Sequence, residues 1–429
     1  MSQVIPLHLP LPPLETFLRV NYQLDGRIGE MLEAGQMPWR RFVFDADKID
    51  RQADLVRRVK SANGEVILDF RAAEAASIAR HASSQSLRSL PWANPEAPSR
   101  PGDFFGDRLV ETAKKMAVFA VQHRVDRVLS PSHLWTQSSE GWVSIDQDFL
   151  VTLRDQLDRN GGREIKIDYQ LITDMNRIRD VAAMNDFSCD WTNLPFCNLW
   201  IRTSRFGESA APTSLSDFIQ NARILHSLKK PIVLDYTGGF AALGALAFGT
   251  AGAIAHGLNR SANFDATTWS RPHKDPAGGS KPRIYVANLD RHLSPDQLNT
   301  LFSFRGAKSR FAGTDHFSSP TAMISHPDLH FVQQKHQKMT ILNEFPQHRR
   351  ADFFVSKFLG DSISSLRTTA AWTFDDPQLK SVIQKATRRL ELMRDQCNYL
   401  LAANCITSRS PLMPFIGEAT RQARPERGL

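Results

Sequence analysis

Four short apolar runs in this chain reach an aspartate: Val43-Phe44-Asp45, Ile67-Leu68-Asp69, Lys166-Ile167-Asp168 and Val233-Leu234-Asp235. Buried parallel strands are normally apolar on both faces, so a carboxylate recurring at this place needs a reason. Acids that share a partly desolvated mouth acquire separated pKa values, which suits general acid–base work or the binding of a divalent metal. The competing reading is that each acid caps a helix or pairs with an arginine. Asp69, Asp168 and Asp235 are taken as catalytic candidates, and Asp45 as a substrate contact.

Arg202 lies inside the apolar run Asn198-Leu199-Trp200-Ile201-Arg202, where a guanidinium can fork onto a carboxylate or a phosphate. A structural ion pair with Asp168 or Asp235 serves equally well. His256 ends another apolar run and joins Asp235 as a candidate for stabilising charge. His133 and Asn288, each near the end of an apolar run, are candidate substrate contacts. The connection 259–282 carries Arg260, Arg271, Lys274 and a Gly-Gly pair, the composition of a phosphate-holding loop. Of His326, His330 and His336, the first two are four apart and would share a helix face, but no acid or cysteine stands at ligand spacing, so no metal ligands are assigned.

No phosphate-binding P-loop, nucleophile elbow, HExxH or dinucleotide fingerprint is present. Asp235-Tyr-Thr-Gly-Gly-Phe240 resembles the Asp-Ser-Gly-Gly-Phe signature of tRNA-guanine transglycosylases over six positions. The match needs an inserted residue, falls late in the chain and lacks that family's cysteine-rich zinc motif, so it implies no membership.

The elements that would position these residues alternate. Apolar strands are predicted at 40–47, 65–70, 126–135, 166–172, 198–206, 232–236, 251–257 and 283–290, separated by amphipathic helices. Eight such repeats predict an α/β chain closed into a (β/α)8 TIM-type barrel over 38–305, with long loops at 83–104 and 259–281. Residues 1–37 read as a proline-broken lead-in with a helix near 14–32. Residues 306–429 read as a basic helical appendage ending in a disordered tail. Within it, Leu379, Val382, Ala386, Leu390, Met393, Cys397 and Leu400 form an apolar seam for core packing or a partner helix.

The chain has 429 residues and a net charge of +8, and its four cysteines read as reduced thiols. From Arg291 onward 19 Lys and Arg face 12 Asp and Glu, so the basic surplus belongs to the C-terminal third. No stretch is long and apolar enough for a membrane span, and the first residues make a poor secretion signal, so a cytoplasmic protein is expected. The functional expectation is a barrel enzyme acting on a phosphate-bearing substrate, nucleotide or nucleic-acid-derived among the options. It would work by carboxylate acid–base or metal-assisted hydrolysis or glycosyl transfer. The alternative is an accessory protein whose basic C-terminal helices bind nucleic acid, or whose 377–405 helix binds a protein.

Overall fold

The computed structural model describes residues 12–20, 22–136, 141–208, 210–259, 263–271, 283–312 and 317–406. Eight parallel strands close into a ring: β1 (Glu15–Arg19), β2 (Arg41–Asp45), β3 (Glu65–Asp69), β4 (Arg127–Leu129), β5 (Lys166–Asp174), β6 (Leu199–Ser204), β7 (Ile232–Asp235) and β8 (Ala253–His256). Each pairs with its neighbour in sequence, and β1 returns to β8 with Leu18 opposite His256. The two-residue strand Leu134–Trp135 extends the β5 edge. The chain is therefore a TIM-type (β/α)8 barrel, as the alternation predicted. Among the described residues no helix is long and apolar enough to cross a membrane.

The ring differs from the predicted one at both ends. The segment expected to begin a helix at residue 14 supplies β1, and helix α1 (Asp25–Glu33) starts only after it. The expected eighth strand, 283–290, lies outside the barrel. Its Ile284–Val286 part (β9) folds back on Arg291–Leu293 (β10) as an antiparallel hairpin. Two short apolar runs separated by a turn satisfy their backbone groups locally, whereas a barrel strand needs a parallel partner on each side. The barrel thus spans residues 15–256.

Outside the ring run α2 (Ala53–Ser61), α3 (Asp107–Gln122), α4 (Gly141–Arg159), α5 (Val181–Trp191), α6 (Pro212–Ala222) and α7 (Gly239–Ala247). Every residue of α7 is buried, which explains its glycine and alanine content: larger side chains have no space there. At Gly244 an added Cβ would meet Leu215 at 2.9 Å. The C-terminal region adds α8 (Pro295–Phe302), α9 (Pro327–Glu344), α10 (Gly360–Ala370) and α11 (Pro377–Ala402). The α11 seam, with Leu379, Ala386, Leu390, Met393, Cys397 and Leu400 buried, packs on α6 and α10 of the same chain. It is thus not an open face for a protein partner.

Inside the ring, side chains alternate inward and outward with period two. The inward ones form three layers. The middle layer is apolar: Phe17, Val43, Ile67, Leu129, Trp200, Val233, Ala253 and Ala255 make one cluster of their own. Below it, toward the strand N-termini, Arg41 joins Glu15 and Glu65, and Arg127 joins Glu65 at 3.2 Å and Asp168 at 2.6 Å. Asn198 and the Trp200 indole N–H also donate to Asp168. Above it lies a second ionic layer, described next.

Glu15 opens on the barrel's lower rim, but Glu65, Arg127 and Asp168 are closed to water and depend on their polar neighbours for compensation. Asp168→Ala, which removes the nearer of Arg127's two carboxylates and the acceptor of Asn198 and Trp200, is expected to cost about 3–5 kcal/mol of stability. Chemical denaturation checks this; a loss below about 1 kcal/mol would contradict the closed network.

Candidate active site at the barrel mouth

Arg19, at the C-terminal end of β1, donates to Asp235 through Nε at 2.5 Å and Nη2 at 2.8 Å. Its Nη1 reaches Asp69 at 2.9 Å and approaches Asp45 at 3.8 Å. Arg202, on β6, approaches the same acids: Nε to Asp235 at 2.8 Å, Nη2 to Asp69 at 3.0 Å, and Nη1 to Glu74 at 3.0 Å. Gln170 on β5 donates to Asp235 at 2.7 Å. Arg71, just past β3, joins Asp45 at 3.4 Å and Glu74 at 3.1 Å, while its backbone N–H donates to Asp69. Six strands thus contribute to one cluster in which two guanidiniums bridge two carboxylates.

The cluster is roofed on one side. Phe264 and Trp269, from the segment after β8, pack with Ile172 and Ala73, and Tyr236 lies against them. The segment is tied down where the Ser77 hydroxyl donates to the Trp269 carbonyl and the Arg205 amide donates to that of Phe264. Asp235, Asp69 and Arg202 are buried beneath this roof. Asp45 stands at the rim with its side chain 23% exposed.

Burial and electrostatics separate the carboxylates. Burial, reinforced by the charges of Asp69 and Asp47, outweighs the nearby Arg71 and Arg19 and raises Asp45 to about 6. Asp69 goes the other way: although burial opposes ionisation, Arg19, Arg202 and Arg71 hold it well below the usual carboxylate range. The two are cross-strand partners, Asp45 opposite Asp69. A rim carboxyl that can carry a proton near neutrality beside one locked as an anion is an acid–base arrangement. A cation site is a poor fit here, because arginine donors already occupy Asp69 and Asp235. Among the described residues no group of three or more His, Cys, Asp or Glu stands close enough to hold a metal.

The structure brings Asp45, Asp69, Asp235 and Arg202 together and leaves the other candidates elsewhere. Asp168 lies in the lower layer, because β5 continues six residues beyond it and Gln170 occupies its place in the mouth. His256 follows the inward Ala255 and so faces outward, between Trp39 and Phe331. Asp235 and His256, neighbours at strand ends, therefore belong to different compartments. His133 is also outside the mouth: it stacks on Trp142 at 3.7 Å, and its Nδ1 meets Asp146 at 2.6 Å. Asn288 sits in the β9–β10 turn and donates to the Arg310 carbonyl. Arg271 is exposed, while Arg260 and Lys274 lie outside the described residues. His330 is buried against the Tyr285 carbonyl, whereas His326 and His336 are exposed, so the three histidines do not converge.

Arg19, Arg71, Glu74, Gln170 and Tyr236 are the mouth residues that sequence reasoning missed. Arg19 carried a signal: it follows Phe17 by two residues, the spacing at which Asp45 follows Val43. A second buried network joins the barrel to the C-terminal region. Arg389 donates to Asp290 at 2.7 Å, Lys335 to Glu208 at 3.5 Å, and His292 lies 3.3 Å from Glu208. Asp290 also fills the space above Gly239, where an added Cβ would lie 2.3 Å from its Oδ1. The Gly-Gly turn is therefore occupied by the protein's own carboxylate.

No protein-family model matches this chain, and no curated protein matches it. Among solved structures it is similar to the carboxyl transferase domain of Rhizobium etli pyruvate carboxylase, at 9% identity and TM-score 0.38, over 96% of this chain and 68% of that one. It is also similar to the Penicillium canescens endo-1,4-beta-xylanase XylE, at 11% identity and TM-score 0.36, over 56% and 81%. A third similarity is to an HpcH/HpaI aldolase from Desulfitobacterium hafniense DCB-2, at 13% identity and TM-score 0.28, over 57% and 85%. These are likenesses of architecture alone.

Two pH effects follow. His256 and His330 are each pushed down from 6.5 to about 4, first by burial, so the unfolded chain takes up their protons before the folded one. Their contribution is complete above pH 6.5 and lost as pH falls toward 4, roughly 3 kcal/mol apiece. Denaturant titrations at pH 6.5 and pH 4 should show that drop, and equal stabilities would contradict it. Asp45 has the opposite sign. Its folded value lies above the ordinary 3.8, so ionisation weakens the fold as pH rises from about 4 through 6. Asp45→Asn should therefore raise Tm more at pH 7.5 than at pH 4.5; a gain confined to the lower pH would contradict the shift.

Proposed function

We propose that this chain is a barrel enzyme that transfers protons at the C-terminal mouth, with Asp45 as the acid–base group. Asp69 and Asp235 are the carboxyl groups that hold Arg19 and Arg202 in place. The single observation carrying this reading is the contrast between cross-strand neighbours: Asp45 is partly exposed and protonatable near pH 6, and Asp69 is buried and locked as an anion. Such a pair suits hydrolysis or group transfer at an oxygen of the substrate, in which one carboxyl both gives and takes a proton. Arg71, beside Asp45 and only partly buried, supplies a cation for a substrate anion, consistent with a phosphate-bearing compound.

The test is turnover of a panel of phosphate esters, nucleotides and glycosides by the full chain from pH 4 to 9. A hit should show a pH limb near 6 and fall by about 100-fold or more in Asp45→Asn with the fold intact. Wild-type turnover in Asp45→Asn would remove Asp45 from the chemistry; no turnover of any panel member would sink the reading.

A further inference from the structure

Tyr236 follows Asp235 at the end of β7 with φ +52°, a left-handed backbone that an aromatic L-residue adopts only at a cost. Its ring covers both clamp arginines, with the guanidinium carbons of Arg19 and Arg202 at 4.5 and 4.7 Å from the ring centre. The residue is only half-buried, and its hydroxyl makes no hydrogen bond among the described residues. Arg19, which lies against this ring, also approaches Asp45 at 3.8 Å, so Tyr236 and Asp45 flank one guanidinium. The strained turn therefore has two effects: it seats an aromatic face on the buried cations and leaves a phenol O–H unspent at a cluster whose partly exposed carboxyl is Asp45.

We propose that Tyr236 is a substrate-contacting residue of the mouth, its hydroxyl donating a hydrogen bond to the substrate oxygen at which Asp45 exchanges its proton. This rests on the acid–base reading of Asp45 but makes a separate claim about where the substrate lies: over the Tyr236 edge, on the β2–β3 side of the roof. A flat ring with a terminal donor fits an oxygen-rich small molecule, a phosphate ester or a polyol. Burial raises the phenol above its ordinary value, so it remains a donor throughout the neutral range.

The chain contains five tyrosines, so labelling with 3-fluorotyrosine gives five fluorine resonances, and Tyr236→Phe identifies the one at 236. Asp45 is faced by Arg19 from β1, Asp69 and Arg71 from the β3 end, Asp47 on its own loop and Tyr236 from β7. The Tyr236 resonance should move with an inflection near pH 6 that disappears in Asp45→Asn. It should also shift on addition of a panel compound that is turned over. Tyr236→Phe, which keeps the ring on the arginines, should hold Tm within about 2 °C of wild type. It should lower kcat/KM by about 10- to 100-fold. A resonance that moves with no panel compound overturns the proposal, as does unchanged kcat/KM in Tyr236→Phe. A compound that shifts the resonance without being turned over supports the contact and counts against the acid–base reading, which keeps the two failures apart.

Discussion

Arg19 is a cation withdrawn from water inside a closed barrel, and much of the upper half of the molecule is arranged to compensate it. Isolated, a guanidinium at 4% exposure would cost many kcal/mol; here it is held bidentately by Asp235 and singly by Asp69. Those two acids accept from Arg202 as well, so each carboxylate is shared by both arginines and removing either one takes away one of its two guanidinium partners. The bonds run from β1 to β7 and β3, across the lumen as well as around it. Because β1 is also the strand that closes the ring against β8, the clamp and the closure are mutually dependent.

The layered interior follows from the same constraint. Ionic groups inside a barrel must find partners at their own height, since an apolar layer separates the two ends of the lumen. Phe17, Val43, Ile67, Leu129, Trp200 and Val233 supply that separation. Below it the signs alternate from Glu15 through Arg41, Glu65 and Arg127 to Asp168; above it, Arg19 and Arg202 interleave with Asp69, Asp235 and Glu74. Height decides whether an aspartate belongs to the scaffold or to the mouth. Asp168 follows two strand residues and Asp235 three, yet β7 ends at its aspartate and β5 does not.

That distinction marks what the sequence could and could not convey. Alternating apolar runs and amphipathic helices carry the barrel, because each strand–helix unit is a local pattern of hydrophobicity. Pairing is not local. Thr16-Phe17-Leu18 lies behind a run of prolines that reads as a lead-in, and nothing in it announces that the last strand of the barrel, with Ile254 opposite Thr16, will seek it as a partner. The run 284–286 has the composition of a barrel strand and becomes a hairpin because Arg291–Leu293 is nearer than any open sheet edge. Three of the four aspartates were placed in the mouth by composition alone. His256 was not, because inward and outward depend on parity, and one residue separates the Ala255 face from the His256 face.

Strain adds an independent indication of where the molecule is specialised. Arg71, Arg205, Tyr236 and Asn259, non-glycine residues with positive φ, come within three residues of the ends of β3, β6, β7 and β8. Asparagine tolerates that conformation, but the two arginines and the tyrosine do not adopt it cheaply, at about 1–3 kcal/mol each. At the mouth, tight neighbouring contacts over-determine two of these residues. For Arg71 these are Asp45, Glu74 and the backbone bond to Asp69; for Tyr236 they are the two guanidiniums under its ring. Both are thus strained by the clamp they serve, Tyr236 at the edge of the Phe264–Trp269 roof and Arg71 beside the partly exposed Asp45. The buried Arg19–Asp235 bond and the exposed Asp45 edge are in this sense one device: the first fixes the geometry that the second presents to solvent.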